Sequence, residues 1–171
     1  MNAFPSSRLD ALPPLREVIA EYKVNARRSL GQHFLLDLNL TRRIANAATH
    51  LKEGTVIEVG PGPGGLTRSL LSAGASNLVA IERDERCIQA LMPLQEASDN
   101  RLTVLHEDAL QFSFEELYPE PLSLVANLPY NISTRLLIKW LRMGTRISEM
   151  ILMFQAEVAE RITASPGNKS F

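Results

Sequence analysis

Apolar positions along the chain follow two spacings, and the switch between them marks out elements. Leu15, Val18, Ile19 and Tyr22, after Pro13-Pro14, have helical spacing and predict a short helix. Residues 1–8 carry no such pattern and read as frayed. Arg27-Arg28-Ser29-Leu30-Gly31-Gln32-His33-Phe34-Leu35 fits neither period and reads as a loop. Leu40, Ile44, Ala47 and Ala48 then share one helical face, with Asp37 or Asn39 as cap and an end near His50. Beyond Gly54 short β-branched runs appear at 55–59, 78–81, 102–106, 122–126 and 147–154, each bounded by turn residues. Helical stretches lie between and after them: 66–73, one capped by Asp84, 134–142 capped by Ser133, and 156–164. Strand–helix alternation at this spacing predicts right-handed βαβ units, hence a parallel sheet with helices on both faces.

Composition narrows the class. Of 171 residues, 45% are hydrophobic and 22% charged, the balance of a globular chain with a sizeable core. No apolar stretch reaches bilayer-spanning length, and residues 1–12 lack a basic-then-apolar leader pattern. Cys87 is the sole cysteine and His33, His50 and His106 are scattered, so no disulfide, thiolate cluster or zinc site is expected. A reducing, cytoplasmic setting is the expectation. The net charge of −1 conceals asymmetry: residues 22–50 hold five cations and one acid, 135–171 six cations and three acids, and the stretch between them twelve acids and five cations. A basic, phosphate-facing side would look like this, but so would a solvated surface.

The first strand runs into Glu58-Val59-Gly60-Pro61-Gly62-Pro63-Gly64-Gly65, where glycines let a ligand approach the backbone. Gly60, Gly62 and Gly65 satisfy G-x-G-x-x-G, and Glu82 stands where a ribose-binding acid belongs, so a nicotinamide dehydrogenase is one reading. Two features oppose it. Pro61 and Pro63 have no N–H to give a pyrophosphate, and the Glu58 carboxylate would repel one. S-adenosylmethionine, which offers ribose hydroxyls and positive charge but no phosphate, fits better. Glu82 at the end of the second strand can take both ribose hydroxyls, and Asp108 at the end of the third can accept from an adenine amino group. Acids at strand ends also serve as helix caps, but three consecutive strands ending in a glycine cluster, Glu82 and Asp108 make a joint coincidence a poor account. Asn127-Leu128-Pro129-Tyr130 follows the fourth strand. The Asn127 side-chain oxygen and the Leu128 carbonyl, held extended by Pro129, can grip the two N–H bonds of an adenine N6 and localise its lone pair. Tyr130 offers a face on which an extruded base can stack. An ordinary β-turn is the bland alternative for the same tetrapeptide.

Ser29-Leu-Gly-Gln-His-Phe-Leu35, Glu58-Val-Gly-Pro-Gly62, Glu82, Glu107-Asp108-Ala109, Asn127-Leu-Pro-Tyr-Asn-Ile-Ser133 and Gln155-Ala-Glu-Val-Ala-Glu-Arg161 together resemble the ribosomal-RNA adenine dimethyltransferase family, in its order and spacing, from about Arg27 to the end of the chain. The closest likeness is to the bacterial branch that dimethylates two adjacent adenosines near the 3′ end of small-subunit ribosomal RNA. The resemblance implies an α/β fold, the class I S-adenosylmethionine-dependent methyltransferase sheet of seven strands followed by a small helical domain. It implies cofactor contacts at His33, Leu35, Gly60, Glu82, Asp108 and Asn127. Two positions depart from the common pattern: His33 stands where many members have Asn, and Ala156 where many have Lys.

The expectation is therefore a helical extension over 1–50, whose loop 29–36 covers the cofactor, and a Rossmann-like methyltransferase domain over 51–171. The last two strands and the helical domain would lie outside the sequence. Cofactor contacts are expected from His33, Leu35, Gly60, Gly62, Glu82, Asp108 and Asn127, and catalysis from Asn127, Leu128, Pro129 and Tyr130. Arg27 and Arg28 are expected to hold RNA phosphates, with no metal, no membrane and a monomer acting on the small-subunit RNA or its pre-30S particle. The rivals are a large-subunit methylase of the antibiotic-resistance type, a DNA adenine methyltransferase, a non-catalytic ribosome-assembly factor on the same fold, and the dehydrogenase.

Overall fold

β1 (Thr55–Val59), β2 (Leu78–Glu82) and β4 (Leu122–Asn127) are the three strands whose residues are almost wholly buried, which is why they read as unbroken apolar runs rather than alternations. In the computed structural model, which describes residues 7–24, 34–113, 118, 120–165 and 167, they form the middle of a five-stranded sheet. β3 (Leu102–His106) and β5 (Ile147–Met153) are the edges, and the order is β3-β2-β1-β4-β5 with every pairing parallel. Chain progression thus runs outward from β1 to β3, then returns to the other side of β1 for β4. The crevice at the carboxyl ends of β1 and β4 is where such a sheet binds ligands.

Side chains alternate across the sheet and build two cores. On one face Val56, Leu78, Ala80 and Val125 pack under α3 (Leu38–Ala47), α4 (Gly65–Ser72) and α5 (Glu85–Ala97) through Ile44, Leu66, Leu70, Leu91 and Leu94. On the other, Ile57, Val59, Val79, Ile81, Leu124 and Ala126 pack under α6 (Ser133–Leu141) through Leu136 and Trp140. A third, smaller cluster joins α2 (Leu15–Glu21) to α5 through Val18, Val24, Cys87 and Ala90. Among the described residues the first element is one turn of helix, α1 (Ser7–Asp10), and α7 (Ala156–Ile162) follows β5.

The caps decide several boundaries. Asp37 rather than Asn39 starts α3, accepting from Asn39 N and Leu40 N at 2.8 and 3.3 Å, and Asp84 caps α5 as expected. Ser133 is not a cap: Ile132 holds that position, and the Ser133 hydroxyl donates to the Tyr130 carbonyl at 3.3 Å. The tight turn after Pro129, with Ile132 N on Pro129 O at 3.1 Å, brings the chain into the helix one residue earlier than the periodicity suggested. α3 stops at Ala47, short of His50, because the Glu149 carboxylate of β5 captures the N–H groups a longer helix would use. It accepts from Thr49 N and His50 N at 3.1 Å, Thr49 Oγ1 at 2.9 Å and Ser123 Oγ at 2.8 Å.

Burial alone would raise the Glu149 pKa, but the bonds from Thr49, Ser123 and His50 outweigh it and hold the carboxyl below its ordinary value. A depressed folded pKa contributes stability that is present above the unfolded value of 4.5 and lost as pH falls through the folded one. Glu149→Ala is therefore expected to cost about 1 kcal/mol at pH 7, the charged-hydrogen-bond range discounted because the bonds to Thr49 are open to solvent. In denaturant titrations that deficit should shrink towards pH 3. A deficit unchanged by pH would mean that the side chain acts through packing alone.

Among the described residues no helix is long and apolar enough to cross a membrane, and no three His, Cys, Asp or Glu side chains gather as metal ligands would.

Candidate functional site

The polar residues that end β1, β2 and β4 share a face. Because side chains alternate along a strand, Glu58, Glu82 and Asn127 point to the same side of the sheet as Val56, Ala80 and Val125. Around Glu82 and Asn127 lies a pocket, open to solvent on one side, with Gly60, Gly62, Asp108 and Pro129 also in its wall. A second hollow shares Phe34, Gly60 and Asn127 with the first and reaches Leu35, Glu58 and Leu66.

The glycine loop is shaped by two close approaches. Gly60 and Gly62 have φ of +69° and +56°, which L side chains rarely adopt. A Cβ on Gly62 would sit 2.8 Å from the Phe34 ring, so this glycine also makes room for an aromatic wall. The loop's hydrogen bonds turn inward. Gly60 N donates to Ile81 O at 3.0 Å, Gly62 N to Glu82 Oε2 at 3.1 Å and Gly64 N to Pro61 O at 3.1 Å. Pro61 and Pro63 have no N–H, so every backbone donor between residues 60 and 64 is engaged by the protein. A pyrophosphate would find no donor within residues 60–64 and would be left with the first N–H groups of α4 alone.

Glu82 is pinned by three backbone donors: Arg83 N at 2.7 Å and Asp84 N at 2.8 Å on Oε1, and Gly62 N on Oε2. Burial raises its pKa, the three N–H bonds offset part of the rise, and Asp84 adds to it. Two donors on Oε1 and one on Oε2 leave the open lone pair of the carboxylate on Oε2, where a ribose hydroxyl can be accepted without reorganising. Asp108 begins the turn after β3: its Oδ1 accepts Leu110 N at 2.9 Å, and its Oδ2 lies 3.7 Å from the guanidinium of Arg83, an exposed side chain.

Glu58 is the unsatisfied member. It is fully buried, and its Oε2 has no hydrogen-bond partner among the described residues. Burial pushes its pKa up to about 8; the Thr67 hydroxyl, close by but without good hydrogen-bond geometry, offsets a little, and Glu82 adds to the rise. Largely protonated at pH 7, Glu58 does not carry the phosphate-repelling charge expected from sequence; it would ionise if a cation such as an ammonium group entered the second hollow beside it. A raised folded pKa contributes stability that is complete below the unfolded value of 4.5 and is lost as pH climbs through about 8. The chain without cofactor should therefore lose stability between pH 5 and 8.5, and Glu58→Gln should flatten that slope in denaturant titrations. A variant with the native slope would show that Glu58 is not the titrating group.

Of the residues singled out from sequence, Gly60, Gly62, Glu82, Asp108, Asn127 and Pro129 line the larger pocket, and Leu35 lines the smaller. Gly65 lies against Leu35 so closely that a Cβ there would collide with the Leu35 carbonyl. Leu128 sends its side chain into the core, leaving only its backbone for the site, and Tyr130 is half-buried just beyond the wall formed by Pro129. His33, Arg27 and Arg28 lie outside the described residues. Sequence reasoning missed Arg83 and Ile132 in the pocket wall, and placed Phe34 in the covering loop without singling it out. Phe34 falls in a stretch without period, and only its packing against Gly62 reveals it.

Known proteins share this chain's sequence pattern and fold. Residues 23–171 match the family described as ribosomal RNA adenine dimethylase. The chain is 53% identical over 162 residues to the ribosomal RNA small subunit methyltransferase A of Rhodospirillum rubrum, covering 95% of this chain and 56% of that protein. It is 54% identical over 160 residues to the protein of the same name from Paramagnetospirillum magneticum, covering 94% and 57%. It thus spans little more than half the length of these relatives. Among solved structures, a dimethyladenosine transferase from Plasmodium falciparum superposes with a TM-score of 0.71 at 31% identity, over 81% of this chain and 49% of that one. The 23S rRNA methyltransferase ErmE superposes at 0.62 and 29%, over 75% and 50%. The sheet is accordingly that of a class I methyltransferase, a fold that implies use of S-adenosylmethionine, and the chain belongs to the ribosomal RNA adenine dimethylase family.

Proposed function

We propose that the chain is the S-adenosylmethionine-binding part of an enzyme that methylates N6 of two adjacent adenosines in small-subunit (16S) ribosomal RNA, giving N6,N6-dimethyladenosine. The observation that carries this reading is that one pocket holds both Glu82, pinned for a ribose, and Asn127, at the strand end beside it, while the loop between them offers phosphate no donor. The names of the relatives matched above half identity supply the RNA.

When bound, S-adenosylmethionine supplies an electrophilic methyl group on a sulfonium. In this reading Glu82 holds the ribose, Asp108 the adenine amino group, and Gly60, Gly62, Leu35 and His33 the methionine portion beside Glu58. Asn127 contributes to both halves of the site. Its side-chain oxygen and the Leu128 carbonyl accept the two N–H bonds of the target amine, drawing the nitrogen from planarity and localising its lone pair. No general base is needed, since the nitrogen becomes acidic once methylated and sheds its proton to water. Pro129 fixes the loop, and Tyr130 stacks on the target base. Rate enhancement then comes from positioning and from acceptors that fit the transition state. Residues 1–50 act as a helical extension and 51–171 as the methyltransferase domain. Arg27 and Arg28 hold RNA phosphates, and the protein works as a cytoplasmic monomer on the pre-30S particle.

Calorimetry tests the cofactor assignment directly. S-adenosylmethionine and S-adenosylhomocysteine should bind the chain, and NAD should give no saturable heat; tight NAD binding would overturn the reading.

A further inference from the structure

Lys139 makes contacts that neither the fold nor the proposed reaction requires of it. It sits on α6, the helix that continues from the residue 127–130 segment, and its ammonium is half-buried against the turn after β3. Nζ donates to Ala109 O at 3.2 Å, Leu110 O at 3.1 Å and Phe112 O at 2.6 Å. Among the described residues no carboxylate pairs with it.

The same turn is organised from its other end by Asp108. Leu110 N donates to Asp108 Oδ1 at 2.9 Å, and Gln111 N and Phe112 N donate to Asp108 O at 2.9 and 2.8 Å. The N–H groups thus converge on Asp108 and the carbonyls on Lys139. The turn has a carboxylate where its N–H groups gather and an ammonium where its carbonyls gather. Ala109 and Leu110 also line the larger pocket. A cation satisfying three carbonyls holds the turn shut; without it they return to water, and Asp108 loses the Leu110 N–H that orients its carboxylate. Arg83, 3.7 Å from Oδ2, is then free to draw the carboxylate toward solvent.

We propose that Lys139 is a positioning residue that holds Asp108 and the Ala109-Leu110 turn at the adenine end of the cofactor pocket, and so sets how strongly the site selects an adenine over a base lacking the exocyclic amine. The inference rests on the reading in which Asp108 accepts from that amine. It also ties the two half-sites together, since the helix carrying Lys139 continues from the segment proposed to grip the target base.

The test compares S-adenosylhomocysteine with S-inosylhomocysteine, in which an oxygen replaces the amine, by calorimetry on the full chain. The native chain should prefer the adenosyl ligand by at least about tenfold, as expected for a lost hydrogen bond to a charged group. Lys139→Met should weaken the adenosyl ligand roughly tenfold and the inosyl ligand little, leaving a preference below about threefold. Lys139→Arg, which keeps a cation able to reach carbonyls, should restore most of it. Melting temperatures are read alongside, and Lys139→Gln carries the same comparison if the Met variant does not fold. A variant that keeps the native preference, or that loses both ligands equally, overturns the proposal. A native chain with no preference overturns the Asp108 reading itself and the role of Lys139 with it.

Discussion

Replacing Asn127 by alanine is expected to lower the methylation rate at saturating substrates by about 10²–10³-fold, the loss typical of removing one preorganised group that meets developing charge. RNA affinity should change far less, because the contact strengthens as the amine pyramidalises. Some loss of cofactor affinity is allowed, since Asn127 lines both hollows. The neighbouring aromatic separates stacking from hydroxyl chemistry. Tyr130→Phe keeps the ring and should retain most activity, whereas Tyr130→Ala loses stacking worth about 1–3 kcal/mol. If Phe proves as damaging as Ala while both variants melt like the native chain, the hydroxyl is the active group and the stacking account is wrong.

Glu82→Ala should be the most damaging change for cofactor binding. One carboxylate orders Gly62, Arg83 and Asp84 through their N–H groups and, in the proposed reading, takes a ribose hydroxyl as well. Losing the ribose contact alone removes about 1.5–3 kcal/mol, or roughly ten- to 150-fold in affinity. Freeing the glycine loop adds to that. Glu82→Gln should recover only part, because its amide nitrogen would face a backbone N–H in place of an acceptor. Calorimetry with S-adenosylhomocysteine reads the effect; affinity unchanged in Glu82→Ala would remove Glu82 from the site.

The strands were legible because β1, β2 and β4 are covered on both faces and so appear as apolar runs, each broken at its carboxyl end by a glycine cluster, Glu82 or Asn127. A polar residue ending such a run is conspicuous, and parallel strands place those ends along one edge. Contacts that join distant segments without a period were not legible. Phe34 over Gly62, Lys139 on the carbonyls of 109, 110 and 112, and Glu149 on Thr49 and His50 are side-chain contacts across 27 to 100 residues. The Ser133 expectation failed for a local reason: the Pro129 turn brings the chain into α6 before a serine cap is needed. That the loop N–H groups face inward was half legible. Two prolines showed missing donors, but only the fold shows that the three glycine donors are engaged too.

The central claim is methyl transfer to adenine N6 in small-subunit RNA. It is tested most directly by incubating the protein with S-adenosylmethionine labelled in its methyl group and small-subunit precursor particles, then digesting the RNA to nucleosides. The account predicts label in N6,N6-dimethyladenosine from two adjacent positions, incorporated about 10²–10³-fold more slowly when Asn127 is alanine. Label on a ribose oxygen, on another base or only in large-subunit RNA, or an Asn127→Ala variant as active as the native protein, would contradict it.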